Sequence, residues 1–297
     1  MINIKKLINN NNWDKISNLI RLNKIDLGKK INDGNTIVHL ATINNNDSII
    51  KYLLNNNIDE LKKINKYGDT PIHLLASFGY TNLLKDCLSV DNNFINLLNN
   101  NDENVLNILY NDFNFIKWVS DNIKNANFNN VTKKNETLIT LNIKHNNNDN
   151  NNSYTILKFV LSNCNINLNL PKKNPPLCIC CNLNNEHIIN LILNNKNNKT
   201  TKININIKDE NFITPFLYAC KNQSYDIMNK LIKYPKFNIN YIGPEGQYNP
   251  IILAIENTDT IMIDILLKNG FDINLTDKQL NSPLHYSLTK KIYLRKS

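Results

Sequence analysis

The side chains of this 297-residue chain best suited to nucleophilic, acid–base or metal chemistry are its five histidines and six cysteines. Their spacing decides how far each gets. The densest group is Cys178-Ile179-Cys180-Cys181, with His187 six residues beyond. Structural zinc sites pair two Cys-x2-Cys knuckles, or one knuckle with a His-x3-His. Here Cys178 and Cys181 share a helix face while Cys180 points elsewhere, so no metal ligand is expected. Cys180 and Cys181 read instead as small buried apolar side chains. His39, His73 and His285 sit in copies of one short pattern, which argues for a structural task repeated in register. His145 adjoins an asparagine run and reads as solvent-exposed.

The motifs of nucleotide, acyl-transfer and metalloprotease chemistry are missing: there is no Gly-x-Gly-x-x-Gly, Gly-x-x-x-x-Gly-Lys, Gly-x-Ser-x-Gly or His-Glu-x-x-His. Seven glycines leave little material for phosphate-cradling loops, and Gly243-Pro244-Glu245-Gly246 reads as a turn. No catalytic residue, no cofactor and no enzyme are expected.

Composition frames the rest. Apolar residues make up 41% of the chain, enough for a sizeable core, and no run is long enough to span a membrane. The N-terminus lacks the apolar run of a signal peptide. Cysteine density is low for a disulfide scaffold, so reduced thiols in a cytoplasmic or nuclear protein are expected. Asparagine is the anomaly: 65 residues, about 22%. Together with abundant Lys, Ile and Tyr it fits an AT-rich genome. The formal charge is +9, but residues 1–35 and 286–297 each carry +4, leaving about +1 between them. A continuous basic stripe for nucleic acid is not expected.

Stepping along the chain, one pattern returns eight times. Its clearest copies are Thr70-Pro71-Ile72-His73-Leu74-Leu75-Ala76 and Ser282-Pro283-Leu284-His285. Others are Thr36-Ile37-Val38-His39-Leu40-Ala41, Thr214-Pro215-Phe216-Leu217-Tyr218-Ala219 and Asn249-Pro250-Ile251-Ile252-Leu253-Ala254. Weaker copies start at Asn104, Thr137 and Pro175. We call the first residue of each copy its anchor. The anchors 36, 70, 104, 137, 175, 214, 249 and 282 are spaced by 34, 34, 33, 38, 39, 35 and 33 residues. Thr or Ser before Pro reads as a helix start, the hydroxyl capping and Pro taking the first helical position, where its missing N–H costs nothing. A second amphipathic helix follows, as in Ile49-Ile50-x-Tyr52-Leu53-Leu54 and Ile188-Ile189-x-Leu191-Ile192-Leu193. Asn45 and Asn184 stand where the turn between helices needs left-handed backbone. No such unit buries its apolar face alone, so the units must stack. The two long spacings contain polar runs at 146–152 and 194–199, read as solvated insertions.

This pitch and the Thr-Pro-Leu-His-x-Ala pattern resemble the ankyrin repeat. The resemblance implies an all-α solenoid of helix-turn-helix units linked by β-hairpin fingers. Residues 1–32 read as a capping half-repeat with one second-type helix, Trp13–Ile20. Residues 33–288 form the solenoid, and 289–297 a basic tail or truncated cap, the last helix stopping near Ser287 or Leu288. The resemblance further implies a non-catalytic scaffold or adaptor that binds a partner protein along a concave finger and inner-helix face. Carried over by alignment, the binding positions are Lys66, Tyr67, Asp69, Ser77 and Phe78, Glu210 and Asn211 with Ile213, Tyr248, and Lys278 and Gln279. A monomer is expected. Alternatives are the recognition part of a larger effector, such as a ligase-substrate adaptor, and a binder of anionic surfaces or nucleic acid through the basic ends.

Overall fold

The computed structural model describes residues 4–145, 151–197, 201–243 and 249–296. Among them the backbone forms α-helices and short 3-10 turns, and no strand. The chain divides into two compact units, residues 1–138 and 139–297.

The first unit opens with α1 (Ile4–Asn9) and α2 (Trp13–Arg21). It continues with the pairs α3 (Ile37–Ile43) and α4 (Asp47–Asn56), α5 (Pro71–Ser77) and α6 (Thr81–Val90), and α7 (Val105–Ile108) and α8 (Phe113–Asn122). Around and beyond the division come α9 (Leu138–Lys144) and α10 (Asn151–Asn163), α11 (Pro176–Asn182) and α12 (Glu186–Leu193), and α13 (Pro215–Lys221) and α14 (Tyr225–Ile232). The pair α15 (Pro250–Glu256) and α16 (Thr260–Lys268) and the single α17 (Pro283–Lys296) complete the order. All eight anchors fall one residue before a first helix.

Within the first unit α3 packs on α5 and α5 on α7, with α4 and α6 as a second row. Within the second, α11, α13, α15 and α17 stack in order, and each of α12, α14 and α16 packs on its own first helix. The apolar stripes close this packing. Ile49, Ile50, Leu53, Leu84, Leu88, Phe94 and Phe115 are fully buried in the first unit, as are Ile188, Ile189 and Leu231 in the second. Each such side chain contributes roughly 1.5–3 kcal/mol relative to exposure.

Three expectations are corrected. Residues 1–32 hold two helices rather than one, because Ile4, Leu7 and Ile8 stand at i, i+3 and i+4 and half-bury as α1 packs on α2. The last helix does not stop near Leu288; the stretch to Lys296 contains no Gly, Pro or Asn to end it. Among the described residues the fingers keep the course of a hairpin, but as tight turns without strand pairing. Of the two polar insertions, residues 146–150 lie outside those described. The second is tied down: Asn197 donates its side-chain amide to the carbonyls of Leu161 (2.8 Å) and Cys164 (3.3 Å) at the end of α10.

Asparagine does specific work in the turns between helices. Asn11, Asn45 and Asn184 adopt φ of 54°, 51° and 53°. The residue after each, Asn12, Asn46 or Asn185, caps the second helix by accepting the N–H of Lys15, Ile49 or Ile188. An Asn-Asn pair thus makes the left-handed step and then the cap.

The finger tip two residues before anchors 36, 70, 104, 137, 214 and 282 is also left-handed. It is Gly34 and Gly68 in the first fingers, then Asp102, Asn135, Phe212 and Leu280. At Gly68 a Cβ would sit 2.5 Å from the backbone nitrogen of Asn100 on the next finger, so glycine is required twice over. Phe212 and Leu280 carry their bulky side chains at φ of 59° and 63°, a conformation costing roughly 1–2 kcal/mol. Gly68→Ala should therefore destabilise by more than about 2 kcal/mol, while Leu280→Asn, on a tip that faces solvent, should stabilise by about 1 kcal/mol. Urea titration followed by circular dichroism reads both signs, and equal effects of the two variants would contradict the strain argument.

Candidate functional site

In the fingers before anchors 70, 104, 214 and 282, an Asn or Asp five residues before the anchor holds the turn from inside. Asn65 Oδ1 accepts the N–H groups of Tyr67 (2.9 Å) and Asp69 (3.0 Å). Asn99 Oδ1 does the same for Asn101 and Glu103, Asp209 Oδ1 for Asn211 and Ile213, and Asp277 Oδ1 for Gln279 and Asn281. The main chain closes the same loop, with Asn65 N–H donating to the Asp69 carbonyl and Asp277 N–H to that of Asn281. Where the residue is Asp, a tyrosine four residues after the anchor covers the second oxygen. Tyr218 Oη donates to Asp209 at 2.5 Å and Tyr286 Oη to Asp277 at 2.6 Å. The Tyr286 hydroxyl is the largest cause holding the Asp277 carboxyl below its ordinary range.

Neighbouring fingers are joined laterally. Asn65 donates its amide to Asn35 Oδ1, and Asn99 donates its amide to Asp69 Oδ1, each at 3.0 Å. Main-chain bonds run beside them: Lys66 N–H to Asp33 O, Asn100 N–H to Tyr67 O and, in the second unit, Glu210 N–H to Lys173 O.

The bases of the fingers are joined through the first helices. His39 Nδ1 accepts the Thr36 N–H and Nε2 reaches the Asp69 carbonyl at 3.0 Å. His73 repeats this with Thr70, and Nε2 lies 3.0 Å from the Leu97 and 3.2 Å from the Glu103 carbonyl. Because Nδ1 accepts, the proton sits on Nε2, which donates. Cys178 holds the histidine register of its repeat. Its thiol points at the carbonyls of Ile207 and Ile213, which occupy the same positions relative to the next anchor as Leu97 and Glu103. In the third repeat Asn107 is too short for this, and Asn130 of the next link reaches back to it at 2.7 Å.

These contacts account for the chemically capable residues. All six cysteines are buried and unbridged. Burial pushes the Cys87 thiol up to about 12, and those of Cys178, Cys180, Cys181 and Cys220 higher, so none is a ready nucleophile. Among the described residues no cluster of three or more His, Cys, Asp or Glu side chains is arranged to hold a metal.

The stapled fingers present an outer edge. Lys66, Tyr67, Ser77, Phe78, Glu210, Asn211, Lys278 and Gln279 are exposed there, while Asp69 is half-buried and tied to Asn99. Lys66 pairs with Asp33 and lies over the Tyr67 ring, 4.8 Å from its centre. Phe78, at the C-cap of α5, stacks on Tyr80 at 5.8 Å. Ile213 is not at the surface; it is buried at the foot of its finger. Tyr248 lies outside the described residues. Two tips absent from the expected set are the most prominent. Phe212 is 60% exposed and Leu280 76% exposed. The signal for them was a bulky apolar residue in the slot that Gly34 and Gly68 fill elsewhere.

Two family models of ankyrin repeats match this architecture, a three-copy model over residues 4–96 and 148–242 and a many-copy model over 237–287. The chain belongs to the ankyrin repeat family. Ankyrin repeats are generally protein–protein interaction modules and generally non-catalytic. A curated fowlpox virus (strain NVSL) chain named as an ankyrin repeat protein, FPV024, is 31% identical over 90 residues. That alignment spans 30% of this chain and 15% of the viral one. Among solved structures, the ankyrin repeat domain of Bcl-3 aligns at 14% identity and a TM-score of 0.41, over 86% of this chain and 94% of that one. Among the described residues no helix is long and apolar enough to cross a membrane.

The histidine links of these ankyrin repeats titrate. Burial is the largest influence on His39 and His73 and lowers both pKa values, against carbonyl acceptors and the nearby Asp69 and Glu103 that raise them. The unfolded chain therefore takes up protons first as pH falls. Stability should be complete above about pH 6.5 and decline as pH drops below it. His39→Asn with His73→Asn keeps the capping geometry seen at Asn107 and removes both titrating groups. Melting temperatures at pH 7 and pH 5 should converge in this variant, and an unchanged pH slope would refute the assignment.

Proposed function

We propose that the chain is a non-catalytic scaffold or adaptor which binds a partner protein along its finger tips and the C-terminal ends of its first helices. One observation carries this reading. Tyr67, Phe78, Phe212 and Leu280 are each about half exposed or more, on backbone fixed by internal hydrogen bonds. Large apolar side chains held rigidly in solvent are what an interface core uses, because little ordering entropy remains to be lost on binding. Phe212 and Leu280 do so in a backbone conformation that smaller residues would adopt more cheaply, which favours a role for the side chains themselves. The buried, unbridged cysteines fit a reducing compartment such as the cytoplasm or nucleus.

The test is affinity capture with the parent chain and two variants as bait, Lys66→Ala/Tyr67→Ala/Phe78→Ala and Phe212→Asn/Leu280→Asn, all matched for helicity. A protein retained by the parent should be depleted at least about tenfold with one or both variants, since truncating a central aromatic contact commonly costs 2 kcal/mol or more. Identical capture by all three baits would refute the finger assignment.

A further inference from the structure

The near-zero charge of the middle of the chain is an average over unlike parts. Residues 151–208 hold seven lysines and one acid, Glu186, a net of +6, while residues 209–285 hold six lysines and nine acids, a net of −3. Part of the basic block converges on one recess. Lys158 and Ser162 on α10, His187 on α12 and Lys196 beyond it line a groove of about 410 Å³ together with Leu161 and Leu191. Among the described lining residues none is a carboxylate. Glu186, beside it in sequence, is held in an ion pair by Lys230.

The position of Lys196 is built rather than incidental. The insertion that carries it is pinned by Asn197, whose amide satisfies the Leu161 and Cys164 carbonyls at the end of α10. Asn195 Oδ1 in turn accepts the Asn197 N–H at 3.0 Å. Lys196 thus reaches the groove from a link held against the end of α10.

We infer that this groove binds an acidic, amphipathic segment of a partner protein. Lys158, Lys196 and His187 offer donors to carboxylates, and the half-buried Tyr154 and Leu191 offer an apolar patch to a side chain between them. The surface goes beyond the finger-tip reading, since it lies on the second helices. Nucleic acid fits it less well. A strand is held by cations tracking its phosphates over many residues, whereas this recess is short, partly apolar and followed by an acidic segment.

Fluorescence anisotropy of a labelled twelve-residue peptide alternating Glu and Leu tests this, beside a Lys/Leu peptide and a labelled 20-nucleotide single strand. The parent should bind the Glu/Leu peptide and not the Lys/Leu one. Lys158→Glu/Lys196→Glu should weaken binding about tenfold or more, and Lys117→Glu, an exposed reversal in the other unit, less than twofold. If the reversal variant loses helicity by circular dichroism, Lys158→Gln/Lys196→Gln replaces it, with the same direction expected. No binding by the parent, equal binding by the helical variant, or tighter binding of the single strand with the same lysine dependence would each overturn the assignment. Finger-tip variants should leave this binding unchanged, so the two surfaces fail or stand separately.

Discussion

Carbonyl groups at the base of the fingers turn into the stack, where water does not reach, and a donor must come from the repeat before. A buried carbonyl left alone costs as much as a lost hydrogen bond. His39 meets Asp69, and His73 meets Leu97 and Glu103; Cys178 points its weaker donor at Ile207 and Ile213. The same side chain that supplies the donor also caps its own helix through Nδ1 in the histidine repeats. Helix start, finger position and repeat-to-repeat register are therefore set by one residue, and the apolar packing follows from that register.

What this fixes is a series of short turns whose tips can afford large side chains. Asn65, Asn99, Asp209 and Asp277 each collect two N–H groups and leave the tip above them no freedom to fold back. Tyr67, Phe212 and Leu280 stay in solvent because the turns beneath them are satisfied without them. The buried support and the exposed tip are thus different residues of the same five-residue loop. That separation is why such loops can vary at their tips while the stack persists.

Sequence spacing revealed most of this architecture, because helix starts are written in local chemistry: Thr or Ser, Pro, and an apolar stripe. It also placed Asn45 and Asn184 in left-handed turns. It missed α1 because three apolar residues among lysines and asparagines make a weak stripe whose packing is settled by α2. It read much of the asparagine content as genomic bias. Asn65, Asn99 and Asn197 show otherwise, but their partners lie 30 or more residues away in the neighbouring repeat, and single-sequence periodicity does not see such pairs. Phe212 and Leu280 escaped notice because alignment on polar finger positions passes over the glycine slot.

The rungs between successive links are mostly neutral amides. Asn127 N–H meets Asn96 Oδ1, Asn204 N–H meets Asn169 Oδ1, and Asn238 N–H meets Asn206 Oδ1. Neutral hydrogen bonds are nearly indifferent to ionic strength, while exposed lysines are screened within about 10 Å at 0.1 M salt. The cohesion of each stack and the reach of its charged surface are thereby uncoupled. Salt changes what the molecule attracts and leaves what it is intact.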